Sequence, residues 1–174
     1  MFKSIVIAFD GSADAGKALE IGATLAAREQ VPLGIIYVVD ASHMEISPEI
    51  RRMGEIEHTI EPMPRMMVNL ETAPVNLVST MAQASVDAEK AMVQYAEFLL
   101  GQARQNAVEH GAPEVESRAV AGSPAEEVVA FARDRKADLI ICGSRGYGRM
   151  KSLLLGSTSH KIAQLAECSC LTVK

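Results

Sequence analysis

Two stretches of this chain place glycine, positive charge and hydroxyl groups at spacings suited to holding a phosphate. The first is "AFDGSADAGKALE", residues 8–20. Gly11, four residues, then Gly16-Lys17-Ala18 falls one residue short of a G-x-x-x-x-G-K-[ST] loop. In that loop backbone amides cradle phosphates, the lysine reaches them and the last hydroxyl holds Mg²⁺. The second is "CGSRGYGRMKSLLLGSTS", residues 142–159. Here Gly143, Gly146 and Gly148 lead to Gly156, Ser157 and Thr158, with Arg145, Arg149 and Lys151 in between. Glycine lets a backbone approach a phosphate closely and reach positive φ. A helix N-terminus adds unpaired N–H groups and the positive end of a dipole.

The surroundings of the two stretches separate them. In the first, Ala18 stands where a Mg²⁺-binding hydroxyl is needed, and Asp10 and Asp14 bring two carboxylates to a polyanion. Ser12 reads as a helix cap, so the chain turns helical where a loop would have to wrap. Lys17 then sits on the solvent face of that helix. Asp40, ending the second strand, has the place of a Mg²⁺-binding Asp, but a strand ending in Asp is common and adds little. In the second stretch Ser157 and Thr158 supply hydroxyl donors, and three basic residues gather in a chain of net charge −5. The alternative there is a plain glycine turn with Ser157 as an ordinary N-cap.

The elements that must carry these groups follow from hydrophobic pattern and punctuation. "KSIVIAF" (3–9) and "PLGIIYVVD" (32–40) are short, β-branched runs that predict buried strands. Ala15, Ala18, Leu19, Gly22, Leu25 and Ala26 recur at helical spacing and predict a helix over 13–29. Ala84, Ala88, Ala91, Tyr95 and Phe98 do the same for 82–110, with Gly111 and Pro113 as the stop. "EVESRAV" (114–120) is a weaker strand, and "SPAE" (123–126) predicts a capping box with proline in the first turn of a helix reaching about residue 135. A strand at 137–143, a helix at 157–167 and a last strand, "CLTVK", complete the chain. Alternating strands and helices predict an α/β fold with a parallel sheet covered on both faces. Ligands of such sheets bind beyond the carboxyl ends of the strands, near the point where strand order reverses. That directs attention to the turns after residues 9, 39 and 142.

Residues 40–80 break this rhythm. They hold Pro48, Pro62, Pro64 and Pro74 and the methionines Met44, Met53, Met63, Met66 and Met67. We expect one domain over 1–174 with an insertion at about 41–80, either a functional cover or partner surface, or a plain surface loop.

Composition narrows the function. Charged residues make up 22 % and hydrophobic residues 48 %, as in water-soluble globular domains. Net negative charge and 4 % aromatics without Trp argue against nucleic-acid binding. No apolar run approaches the ~20 residues of a membrane helix, and the N-terminal "MFKSIVIAFDGS" reads as a first strand rather than a signal sequence. Three cysteines, Cys142, Cys168 and Cys170, without C-x-x-C spacing suit a reducing compartment, so a cytoplasmic protein is expected. His43, His58, His110 and His160 make no metal spacing, and no triad order or G-x-S-x-G turn appears. Cys168 and Cys170 point to one face of a strand and are read as packing residues. The run "RDRK" (133–136) is read as a solvated helix end.

Gly143-Ser-Arg-Gly146, nine residues, then Gly156-Ser157 resembles the G-x-x-G, nine residues, G-[ST] motif of the universal stress protein family. The first strand ending in Asp10 and the "YVVD" end of the second fit as well, so the similarity covers 1–40 and about 82–174. The resemblance implies an open five-stranded parallel sheet, order 3-2-1-4-5, of Rossmann-like kind. It implies ATP or another adenine nucleotide, together with Mg²⁺. Gly143, Gly146, Gly156, Ser157 and Thr158 would surround ribose and phosphates, with Arg145 beside them. Asp10 would contact the ribose or adenine side and the Val38 backbone the adenine edge, while Ala8 and Cys142 line the pocket. It also implies a homodimer through the last strand. The long insertion departs from the family pattern, as does "CSCLTVK", where the family usually has a proline near Ser169.

The leading expectation is therefore a nucleotide-binding regulatory protein with no placed general base and at most slow ATP hydrolysis. The alternatives are a P-loop ATPase or kinase using 11–18, and a ligand-free interaction module of the same fold.

Overall fold

The computed structural model describes residues 2–40, 88–146 and 156–174, with the backbone alone over 88–94. The expected insertion and the segment between the two glycine turns lie outside the described residues. The elements are β1 (Ile5–Ala8), α1 (Ala13–Glu29), β2 (Leu33–Val39), α2 (Ala88–Glu109), β3 (Val115–Ala121), α3 (Pro124–Asp134), β4 (Leu139–Gly143), α4 (Ser157–Leu165) and β5 (Ser169–Val173). The five strands form one sheet in the order β3-β2-β1-β4-β5. Every pairing is parallel, with Ala8 level with Ile36 on one side and Cys142 on the other.

The apolar runs of β1, β2 and β4 are explained by burial on both faces. Ile5, Ile7, Leu33, Ile35 and Ile141 pack beneath α1 and α2. Val6, Ile36, Ile140 and Cys142 pack beneath α3 and α4 with Val128, Phe131 and Ile162. The outer strands β3 and β5 largely alternate half-buried and exposed positions instead, as strands at the two edges of the sheet.

α1 has the predicted bounds. Ser12 is extended and accepts the Ala15 N–H through its hydroxyl at 3.3 Å, and Gln30 ends the helix in the left-handed region at φ 56°. The small residues of its inner face let it lie close on the sheet, where a Cβ on Gly22 would stand 2.5 Å from Ile7 Cδ1 and 3.2 Å from Ile141 Cδ1. α2 stops where Gly111 takes φ 89° and Ala112 N–H donates back to Ala107 O at 3.1 Å.

Two local expectations are corrected. Ser123 makes no side-chain cap bond, and the Glu126 carboxylate accepts from Lys161 Nζ of α4 at 2.9 Å rather than reaching back over its own helix start. The run 133–136 is not uniformly solvated. Arg133 is exposed and paired with Glu167, but the Arg135 side chain is only 14 % exposed. Its guanidinium lies 5.5 Å from the Phe131 ring centre, pairs with Glu116 and crosses Gly34, where a Cβ would stand 2.7 Å from Nε. The missing side chain at Gly34 makes that path possible.

Replacing Gly22 by Leu forces a branched side chain into Ile7 and Ile141. Overpacking of this kind typically costs about 1–3 kcal/mol. Urea unfolding followed by circular dichroism should show the midpoint falling with an unchanged m-value, whereas Gly101→Leu, at an exposed helix position with no neighbour within 4 Å, should raise it slightly, because leucine is the better helix former.

Candidate anion site

Strand order reverses between β1 and β4. From β1 the chain winds outward through β2 to β3, and from β4 it winds the other way to β5. The connections after β1 and β4 therefore leave in opposite senses and open a crevice at their carboxyl ends. Asp10 and Gly143 stand on its two sides.

The first glycine turn lies directly against α1. A Cβ on Gly143 would come within 2.9 Å of Ala15 N and 3.0 Å of Asp14 Cβ, so only glycine permits this approach of β4 to the first turn of α1. Gly146 faces Asp10 in the same way, since a Cβ there would be 2.4 Å from Asp10 Oδ2. Between them Ser144 is fully buried. Its N–H donates to Val173 O at 2.6 Å, its carbonyl accepts Gly156 N–H at 2.7 Å and Ser159 Oγ at 3.3 Å, and its hydroxyl donates to Asp14 Oδ2 at 2.9 Å. The Gly156–Ser144 bond closes the nine-residue interval and sets the start of α4 beside the first turn.

Gly156, not Ser157, is the N-cap of α4, and no side-chain cap bond is made there. Ser157 and Thr158 follow as the first helical residues with exposed side chains. The hydroxyl of Ser159, which could have capped, is turned to the carbonyls of Gly156 and Ser144. The first-turn amides of α4 thus carry the positive end of the helix without a capping oxygen from their own cap residue. Arg145 is exposed beside them.

Asp10 accepts Ser12 N–H at 2.9 Å through Oδ1. Burial, with a smaller push from the Asp14 charge, raises its carboxyl above the usual aspartate value despite that bond. Ala8 and Cys142 are level with each other on the α3/α4 face. Burial pushes the Cys142 thiol up, so it stays neutral and acts as an apolar wall, 4.0 Å from Thr172 Oγ1. Val38 lies two residues beyond Ile36 on the same face, past the end of β1. Ile36 O accepts Phe9 N–H and Val39 O accepts Gly122 N–H, so the amide and carbonyl of Val38 point to the β1 side, where β1 has already ended. Tyr37, on the opposite face, has its phenol pushed up to about 12, chiefly by burial and then by the charge of Asp10.

All ten residues expected at the site therefore lie at the carboxyl ends of β1, β2 and β4 or at the start of α4. The first glycine stretch does not form a phosphate loop. α1 is helical from Ala13, Gly16 N–H donates to Ser12 O, and Lys17 is exposed 4.0 Å from Asp14. Sequence reasoning passed over Ser144 and Ser159, which organise the turn. Ser144 is the second residue of the Gly143–Gly146 motif, and a short hydroxyl between glycines was the available signal. The Asp14–Ser144 contact spans 130 positions and needs β1 beside β4 before it can be seen.

An open parallel sheet with helices on both faces and a glycine-lined crevice at its switch point defines a doubly wound, Rossmann-like protein. The chain belongs to the universal stress protein family, whose model matches residues 1–64 and 67–174. It is similar to universal stress protein YxiE of Bacillus subtilis, 29 % identical over the full length of both chains. Its fold is that of a universal stress protein solved in complex with cAMP, with TM-score 0.59 and 20 % identity over 99 % of this chain and 96 % of the other. It is also that of the universal stress protein from Archaeoglobus fulgidus solved in complex with dAMP, with TM-score 0.60 and 16 % identity over 99 % and 98 %.

The partly buried Asp10 makes a testable mark on stability. A carboxyl raised in the folded state binds its proton more tightly there than in the unfolded chain. The cost of burying its charge is thus full above the folded-state value and disappears below the ordinary value of 3.8. Asp10→Asn keeps an acceptor for Ser12 N–H and should melt higher than the parent at pH 7. The gap should close as pH falls through the raised value toward 3.8 in a series of thermal unfolding scans.

Proposed function

We propose that this chain binds an adenine nucleotide, ATP with Mg²⁺, in the crevice between β1 and β4, and acts as a regulatory stress protein by holding it rather than turning it over. The observation that carries the reading is the bond from Gly156 N–H to Ser144 O. It gathers both halves of the glycine motif and the uncapped start of α4 around one point. A phosphate tail there meets glycine backbone, helix amides and the hydroxyls of Ser157 and Thr158, with Arg145 alongside. Asp10 and the β1-facing backbone of Val38 suit a ribose hydroxyl and an adenine edge. Two family members with the same fold were solved with adenine nucleotides, which supports the ligand class.

The outer edge of β5 supports a homodimer in this reading. Among the described strands it pairs with β4 alone, and Leu171 is 38 % exposed on it. An open strand edge is a template for a second copy. Three free thiols fit a reducing cytoplasm.

The test begins with the purified protein, denatured, and the released small molecules run on an anion-exchange column. An adenine nucleotide is expected, with saturable binding when emptied protein is titrated with Mg²⁺-ATP. Gly156→Val, which places a branched side chain against Ser144 O, should abolish retention, while Lys17→Ala should retain it. Neither release nor binding would leave a ligand-free interaction module. Loss of binding in Lys17→Ala would move the phosphate to residues 11–18.

A further inference from the structure

The geometry points to Asp14 and Ser144 as positioning residues of this site: an acid on the first turn of α1 that holds the glycine turn in its anion-receiving shape. The inference rests on the nucleotide reading above. Asp14 looks unsuited to a phosphate site because it adds negative charge. The structure gives it another task. Its Oδ2 accepts the Ser144 hydroxyl at 2.9 Å, and a second bond runs parallel to it, from Ser12 Oγ to Arg145 O at 3.2 Å. Together they clamp residues 144–145 to the start of α1.

The clamp sets the direction of an amide. Peptides are planar and trans, so drawing the Arg145 carbonyl toward Ser12 turns the Gly146 N–H away from α1. It also fixes the Ser144 carbonyl, on which Gly156 N–H and Ser159 Oγ both depend. Ser144 is fully buried and Asp14 partly so, and the acceptor is ionised, which makes this bond stronger than one between neutral groups. Lys17 also lies 4.0 Å from Asp14, but the lysine is exposed and so long a contact is worth little.

Charge and clamp predict opposite signs, and this decides the test. Removing a negative charge near a polyanion should tighten binding; removing the acceptor of Ser144 should loosen it. Asp14→Asn removes the charge and keeps an acceptor oxygen, whereas Asp14→Ala removes both. Titration calorimetry with Mg²⁺-ATP on full-length protein should give Asp14→Asn a Kd equal to or below that of the parent. Asp14→Ala and Ser144→Ala should each weaken binding about tenfold, the loss of one hydrogen bond that holds the turn. The double variant should be no weaker than either single one, because both remove the same contact. Unliganded melting curves identify any variant that fails to fold. If Asp14→Ala is one, Ser144→Ala against Ser144→Thr, which restores the hydroxyl and the affinity, decides the matter. Equal affinities for Asp14→Ala and Asp14→Asn, or unchanged binding in Ser144→Ala, would overturn the clamp alone. Absence of binding by the parent protein would overturn the nucleotide reading and the clamp with it.

Discussion

The geometry of the crevice depends on one buried residue whose three polar groups are bound to three different elements. Ser144 ties β4 to the end of β5 through its N–H, to the start of α4 through its carbonyl and to α1 through its hydroxyl. A buried donor or acceptor left without a partner costs roughly 1–3 kcal/mol, so each of these bonds is expensive to lose. The position of α4 relative to the sheet follows from that requirement. So does the alignment of its dipole with the glycine turn. Three bound polar groups restrict the backbone of the turn at Ser144.

The glycines make the same point from the side of steric fit. At Gly143 and Gly146 the constraint is not positive φ but proximity, to the backbone of Ala15 in one case and to the carboxylate of Asp10 in the other. Glycine here brings two segments together across the switch point. The result places a partly buried carboxylate, its acidity weakened by burial, against the turn. Around it Ala8 and Cys142 keep the wall small and apolar, and Cys142 remains a neutral thiol.

The sheet order and the full set of ten candidate positions came only with the family resemblance, whereas the succession of strands and helices was legible because it depends on short-range signals. Examples are the period of buried residues, the Ser12 cap, the Gly111 stop and the glycine spacing. What was not legible depends on contacts between distant segments. Asp14 reads as an obstacle to phosphate until β1 and β4 are neighbours. Only then does it become the acceptor for Ser144. Arg135 sits in a basic run that looks solvated, yet it lies over Phe131 because Gly34 on β2 leaves a path for it. "SPAE" has the residues of a capping box, but Lys161 on α4 competes for Glu126 and the box does not close. The Gly156-Ser157 pair shows a smaller form of the same limit, since the motif marks the helix start but not which of the two residues caps it.

The central claim is that the amides of the turn after β4 and of the first turn of α4 receive the phosphates. Amide chemical shifts of ¹⁵N-labelled protein during titration with Mg²⁺-ATP measure this most directly. The account predicts the largest changes at Gly146, Ser157 and Thr158, accompanied by Asp10, and little at Gly16 and Lys17. Shifts centred on Gly16 and Lys17, with the Gly146 and Ser157 amides unmoved at saturation, would contradict it.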